Sequence, residues 1–419
     1  MSLGEASRFH RQVSRCTASE PQERQASRLR RQARGFAFLS GLPRLRLACR
    51  ATACLLRKQL ACRVAATVVA IATTTAIAET TVTYPVVAPG VPIEFPRDAG
   101  SHPQFRTEWW YVTGTVEDAA GASFGFQVTF FRSRPGVDEA NPSRFAAKQL
   151  LFAHAALSDP QRGHLLRDER SARAGFDIAV AAEGALDVAI DDWSLRASPD
   201  GKGYSARVRT PEFQLEFDYT STQPPLLHGT GGYSRKGPQA AEASYYYTLP
   251  QLRTAGRLAI GAREYKVTGT AWLDHEWSSS ILDEQAQGWD WVGINLDDGG
   301  AVMAFQMRNL QGQEHFAAAT IRGRADVEPM SFVPGDIEWT PLRRWRAVRT
   351  GIEYPVEWKI RVGERTIGLR PLFDDQENDA RGSTGTIYWE GAVAAFDERG
   401  QRIGRGYLEL TGYGRKVSL

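Results

Sequence analysis

From Thr107 onward the chain alternates between two textures. Runs of five to eleven residues rich in β-branched and aromatic side chains are separated by clusters of Gly, Asp, Pro and Asn. Such runs occupy 124–131, 150–157, 213–219, 267–273, 289–296, 301–307, 386–396 and 406–410. Within the first, Phe124, Phe126, Val128 and Phe130 fall on one face of an extended chain, because successive side chains of a strand point to opposite sides. No apolar repeat of helical period persists beyond two turns. Many short strands with turn signals at this spacing predict an all-β fold of antiparallel barrels or sandwiches.

The pattern also repeats itself. Glu108-Trp109-Trp110-Tyr111-Val112, an Asp/Gly turn and Phe124-Gly125-Phe126-Gln127-Val128 are echoed by Trp289-Asp290-Trp291-Val292-Gly293, the turn Asp297-Asp298-Gly299-Gly300 and Met303-Ala304-Phe305-Gln306-Met307. Each copy is an aromatic strand, a tight turn and a strand centred on Phe-Gln. Self-similarity at this distance predicts two related domains in tandem. The expected boundaries are 100–277 and 278–419, after an extended Pro-rich linker at 79–99. Each domain closes on a similar strand, at 267–274 and 404–413.

Charge divides the chain differently. Residues 1–78 carry 14 Lys/Arg against 3 Asp/Glu, leaving 37 against 45 in the remainder. The mildly basic total therefore hides an acidic main body, which lacks the basic stripe of a nucleic-acid binder. Arg57-Lys58 and the apolar stretch ending Ala76-Ile77-Ala78 form a signal-peptide pattern with cleavage near Ala78. The stretch is shorter than the ~20 residues a membrane span needs, so no transmembrane anchor is expected in the mature protein. Residues 1–55 before it are expected to be an upstream extension or a disordered tail. Cys16, Cys49, Cys54 and Cys62 all precede the cleavage point, so the mature chain is expected to be free of disulfides.

Three clusters are candidates for chemistry. In Asp274-His275-Glu276-Trp277, an extended backbone puts His275 and Trp277 on one face and Asp274 and Glu276 on the other. A carboxylic acid buried beside aromatic walls has a raised pKa and can donate a proton near neutrality. The bland alternative is a hinge in which these groups cap backbone. In the second cluster, Glu108 and Trp110 point one way and Trp109 the other; its structural reading is an edge strand with Glu108 held by Arg106 or Arg132. His154, inside an apolar run, reads as a core histidine or a polar contact to a ligand. His275-Glu276 opens like a zinc helix, but Ser279 stands where that motif needs histidine, and no metal is expected. Gly121-Ala122-Ser123-Phe124-Gly125 spells a nucleophile elbow but lies in a strand–turn–strand context. The Gly-rich 229–237 reads as a tight turn.

Taken in order, Glu108-Trp109-Trp110-Tyr111, Phe126-Gln127, Ala153-His154-Ala155, Gly232-Tyr233-Ser234, Ser244-Tyr245-Tyr246-Tyr247, Asp274-His275-Glu276-Trp277, Gly288-Trp289-Asp290-Trp291, Tyr388-Trp389-Glu390-Gly391 and Leu410-Thr411-Gly412-Tyr413 resemble the AttH-like family, related to hydroxyneurosporene synthase (carotenoid 1,2-hydratase). The resemblance spans 95–413 and implies two tandem lipocalin-like antiparallel β-barrel domains. It implies no cofactor. Three functions follow as expectations. The first is a periplasmic or secreted protein that holds a hydrophobic small molecule, walled by Trp109, Trp110, Trp277, Trp289 and Trp291 with Glu108 and His154 as polar contacts. The second is a hydratase of isoprenoid double bonds in which Asp274 or Glu276 gives the proton and His275 orients water. The third is an accessory of an export system, partnered by an ABC transporter permease.

Overall fold

The computed structural model describes residues 82–137 and 139–417; the leader and signal-like segment expected at 1–78 lie outside the described residues. Apart from a 3-10 turn at Arg97–Ala99, the regular elements among the described residues are strands. Nine of them build the site: β1 (Thr107–Asp118), β2 (Ser123–Ser133), β3 (Leu150–Ser158), β4 (Ala243–Ile260), β5 (Arg263–Ser280), β6 (Ala286–Leu296), β7 (Ala301–Asn309), β8 (Thr386–Phe396) and β9 (Arg402–Leu410).

They belong to two antiparallel sheets. The first runs Leu165–Arg173, β3, β2, β1, β5, β4, Phe213–Thr220, Gly203–Arg209, Trp193–Ala197, Asp187–Ile190 and Ala179–Ala181. The second runs Met330–Phe332, Glu314–Arg322, β7, β6, β9, β8, Arg365–Pro371, Glu353–Val362 and Ile337–Arg346. The two paths follow one plan. Each starts outward from an aromatic hairpin, β1–β2 or β6–β7, and a later strand, β5 or β9, returns to pair with the hairpin's first strand. The sequence echo is this shared plan; the fold is all-β and antiparallel, as the alternation predicts, and lipocalin-like, as the resemblance implies.

Period-two alternation decides what each sheet buries. Phe124, Phe126, Val128 and Phe130 fill the interior of the first sheet together with Trp110, Leu273 and Trp277. Val292, Ile294, Leu408 and Leu410 do the same in the second. The opposite faces of β1, β4, β5, β6, β7, β8 and β9 are apolar as well and meet in a third cluster, where Tyr111, Tyr246 and Trp272 pack against Trp291, Phe305, Met307 and Tyr407. Close approach there needs glycine: a Cβ on Gly125 of β2 would lie 2.6 Å from the Cβ of Ala392 on β8. Polar links cross the same boundary, including Ser158 Oγ to Gln376 Oε1 at 2.7 Å and Gln251 N to Asn295 Oδ1 at 2.8 Å. No helix among the described residues is long and apolar enough to cross a membrane.

Candidate functional site

The boundary between the sheets is not fully packed. It holds a partly open cavity of about 320 Å³, at the lower end of what small-molecule sites occupy. Its walls come from outward-facing residues of both sheets, which alternation in a lone sheet would give to water. In the first sheet one row of register partners crosses the wall: Thr248 on β4, Asp274 on β5, Tyr111 on β1, Thr129 on β2 and His154 on β3. In the second, Phe305 on β7, Trp291 on β6, Glu409 on β9 and Glu390 on β8 form the facing row. Trp109, Phe131, Phe152 and Trp289 complete the apolar lining.

Asp274 is 3% exposed. Burial pushes its pKa up to about 7; hydrogen bonds from Thr248, Tyr246 and Trp272 oppose the shift, and the charge of Glu276 adds to it. The Tyr246 hydroxyl lies 2.7 Å from Oδ2 and accepts in turn from Trp291 Nε1 at 3.0 Å; Trp272 Nε1 donates to Oδ1 at 2.7 Å. Glu276, two residues on and facing the same way, meets Lys236 Nζ at 2.9 Å. That ammonium also stands 4.4 Å from the Tyr246 ring centre and 4.3 Å from that of Phe305, so the pair is a buried ion pair between aromatic faces.

The second sheet supplies two acids that the sequence did not single out. Glu390 and Glu409 are direct cross-strand partners, a placement that opposes two like charges. Burial raises Glu409 to about 7, assisted by the charges of Asp274, Glu276 and Asp290 and countered by a hydrogen bond from Trp289. Glu390 is likewise raised well above its ordinary value, by burial and then by the Glu409 charge. The basic side chains lining the cavity are Lys236 and Arg132, and each is already matched to a carboxylate, Glu276 or Glu108. Among the described residues neither of these cations pairs with Asp274, Glu390 or Glu409, and burial shifts all three carboxyls toward the protonated form.

His154 lines the cavity at its other end. Nδ1 is 2.8 Å from the Tyr388 hydroxyl and Nε2 is 2.9 Å from Ser383 Oγ. Burial lowers its pKa to about 3, with the Arg167 charge adding, so the ring is neutral.

The structure brings Asp274, Glu276, Trp109, Trp289, Trp291 and His154 to one cavity. It places three others elsewhere. Trp110, Trp277 and His275 face the interior of the first sheet, because they occupy the alternate positions of β1 and β5. There Trp110 stacks on His275 at 4.7 Å and Trp277 on His102 at 3.8 Å. Trp110, Trp277 and His275 therefore do not line this inter-sheet cavity. Glu108 borders the cavity, but its carboxylate is consumed by Arg132 Nε at 2.8 Å, His102 Nδ1 at 2.7 Å, His275 Nε2 at 3.0 Å and Ser101 Oγ at 3.0 Å. Burial alone would raise its pKa; hydrogen bonds from His102 and His275 and the charges of His275 and Arg132 hold it well below the usual range. Its strand is central, between β2 and β5, not an edge. His102, Glu108 and His275 are close enough together to suit a divalent cation by donor type, but the Arg132 guanidinium already neutralises that carboxylate. The second sheet repeats the device inside its own barrel, where Asp290 meets Arg308 at 3.0 Å and Tyr413 at 2.9 Å.

Lys236, Glu390 and Glu409 were legible only as faint signals. A single Glu within Leu408-Glu409-Leu410 and within Trp389-Glu390-Gly391 marks the face opposite the core, which in an isolated sheet is solvated. Lys236 follows the short strand Tyr233–Arg235 in the Gly-rich segment, which does form a turn.

Fold and cavity together define a class: lipocalin-like all-β proteins of two related sheets with an acid-bearing, aromatic cavity between them. The chain belongs to the AttH-like family, whose sequence model matches residues 86–413. A Nitrosomonas europaea protein assigned to AttH is similar at 48% identity over 78% of this chain and 99% of its own, with a TM-score of 0.74. Kievitone hydratase from Nectria haematococca is similar in fold at 13% identity, over 79% of this chain and 96% of its own, with a TM-score of 0.61. No curated protein matches the sequence.

Proposed function

We propose that the protein takes an apolar small molecule of isoprenoid type into the cavity and adds water across one of its carbon–carbon double bonds. The observation that carries this reading is a carboxyl group, Asp274, buried in the wall of an aromatic-lined cavity, where burial pushes its pKa up to about 7. A general acid is most effective with a pKa close to the working pH. In the reaction, the O–H bond of the Asp274 carboxyl breaks and the alkene's π pair forms a new C–H bond at the less substituted carbon. The cation left on the neighbouring carbon faces the π clouds of Trp289 and Trp291. Water oxygen adds to it, and the proton that water loses returns to the Asp274 carboxylate. Glu276 is not the proton source, since its charge is fixed by Lys236. The kievitone hydratase likeness supports the fold alone, given its low identity. The same proposal places the mature chain, from Glu79, in the periplasm or outside the cell, on the strength of the signal-like segment at 57–78.

The test is to extract whatever is bound to the purified mature protein, by native mass spectrometry, and to incubate it with acyclic isoprenoids in oxygen-18 water. A product one labelled water heavier than its substrate supports the proposal. A protein that takes up no apolar probe and alters none overturns it.

A further inference from the structure

The lining of the cavity is buried around Tyr246, Glu276 and Lys236 but only half-buried at Thr107, Ser133, Phe152 and Thr386. The last four lie where β1, β3 and β8 begin and β2 ends, so the cavity opens at that end of the strands. Thr107, Ser133, Leu150 and Arg173 are register partners across four adjacent strands. Arg173 thus stands at the end of the row that starts on the rim, roughly 10 Å from Ser133 at ordinary strand spacing.

Two loops, 134–149 and 174–178, meet on Arg173. Its Nη1 donates to the Phe145 carbonyl oxygen at 2.5 Å, and its guanidinium lies 5.6 Å from the Phe145 ring centre and 5.7 Å from that of Phe176. The two rings stack at 5.0 Å, and the Arg144 guanidinium stands 5.4 Å from the Phe176 ring. Both rings nevertheless face solvent: Phe145 is 66% and Phe176 36% exposed, and Ile178 in the same loop is 50% exposed. A single exposed apolar side chain is ordinary, whereas a cluster of them rimmed by charge marks an interaction surface. On the other sheet's side of the mouth, exposed Arg415 and Lys416 directly precede Val417, which lines the cavity. Arg415 reaches the rim itself, since its Nη2 would lie 3.6 Å from a Cβ on Gly385, the neighbour of Thr384 and Thr386. Among the described residues of the two loops and of the segment 411–417, the acids are Asp177 and Glu139, and Glu139 is held by Arg134 at 2.8 Å.

We propose that this end of the molecule docks on an anionic lipid bilayer. The stacked Phe145 and Phe176 rings enter the headgroup region, while Arg144, Arg173, Arg415 and Lys416 meet lipid phosphates. Aromatic rings flanked by long cationic side chains suit that boundary, where the ring leaves water and the charge keeps it. Each Lys or Arg held near an anionic leaflet adds to the attraction. Docked in this way, the mouth faces the phase in which apolar molecules dissolve, and a ligand enters the cavity without crossing water. The proposal rests on the proposed function only for the apolar nature of that ligand; docking itself requires no turnover.

Co-flotation of the mature protein with lipid vesicles tests this. Vesicles of equal parts phosphatidylcholine and phosphatidylglycerol are compared with vesicles of phosphatidylcholine alone. The expectation is binding at least about tenfold tighter to the anionic vesicles, weakening as salt is added. Phe145→Ser combined with Phe176→Ser should weaken it about tenfold or more, because two apolar groups no longer leave water. Arg144→Gln combined with Arg415→Gln and Lys416→Gln should weaken it about 10- to 100-fold at low salt. Arg399→Gln, in the exposed turn that joins β8 to β9 at their opposite end, should change nothing. Unaltered binding by the phenylalanine variant, or an equal loss in Arg399→Gln, overturns the assigned face. Failure of the parent to float with anionic vesicles overturns the proposal; dimers in sedimentation that the phenylalanine variant lacks would then assign the rings to a second copy of the chain. A protein that floats but hydrates nothing keeps this surface and loses the proposed function, and one that hydrates but never floats does the reverse.

Discussion

Replacing Asp274 by Asn should make the protein more stable at alkaline pH and leave it little changed in acid. Burial raises this carboxyl from an ordinary value of 3.8 to about 7. Its folded-state pKa is above its unfolded one, so the folded state binds more protons than the unfolded chain between those values. The stability associated with the protonated group is fully present below about pH 4 and is lost as the pH climbs through about 7. At 1.36 kcal/mol per unit, three units set a ceiling of about 4 kcal/mol on the loss. Asn carries no charge and keeps the shape. Its carbonyl can still accept from Trp272 Nε1 and Thr248, and its amide can donate to the Tyr246 hydroxyl. Allowing about 1 kcal/mol for poorer hydrogen bonding, Asp274→Asn should gain about 2–3 kcal/mol over the parent near pH 9, with no gain near pH 4. Urea unfolding of both proteins across that range, with tryptophan fluorescence as the probe, measures the difference directly. Parallel stability curves, separated by the same amount at every pH, would show that Asp274 is ionised throughout and would refute the reasoning.

The remaining predictions concern the groups around it. Lys236→Met strands the Glu276 charge in a dry site and should cost about 3–5 kcal/mol in urea unfolding, while adding Glu276→Gln should restore most of that. Glu108→Gln should cost about 2–4 kcal/mol by breaking its contacts with Arg132, His102 and His275, yet leave probe binding in the cavity unchanged. Because the Glu108 pKa is depressed on folding, its contribution is present above the ordinary value of 4.5 and lost as pH falls, so the variant's stability should decline less steeply in acid. Gly125→Val places carbon within 2.6 Å of Ala392 and 3.0 Å of the Tyr407 hydroxyl, which should force the sheets apart and lower stability by about 1–3 kcal/mol in thermal melts.

Local pattern made much of this molecule readable. Alternation located the strands, and it separated Asp274 and Glu276 from His275 and Trp277 as the structure does. The hairpin echo was legible because turn and strand chemistry are local. Which face of each sheet becomes the cavity is not local. Trp109 and Trp110 are neighbours of one type, and only the docking of a second sheet onto the Trp109 face decides which of them lines the cavity and which fills a barrel. Glu390 and Glu409 were missed for the same reason: each looks solvent-facing until the other sheet covers it. His154 presents the reverse case, a histidine in an apolar run whose partners, Tyr388 and Ser383, come from more than 200 residues away. Arg132 was one of two candidate partners for Glu108, and direct strand pairing of β1 with β2 makes the contact.

The central claim is that Asp274 hands a proton to ligand carbon inside the cavity. Turnover of an acyclic isoprenoid in deuterium oxide, followed by mass spectrometry and NMR of the product, tests it most directly. The account predicts one deuterium on the carbon beside the new hydroxyl-bearing carbon, and loss of that product in Asp274→Asn with the isoprenoid still bound. Full turnover by Asp274→Asn, or a hydrated product without carbon-bound deuterium, would contradict it.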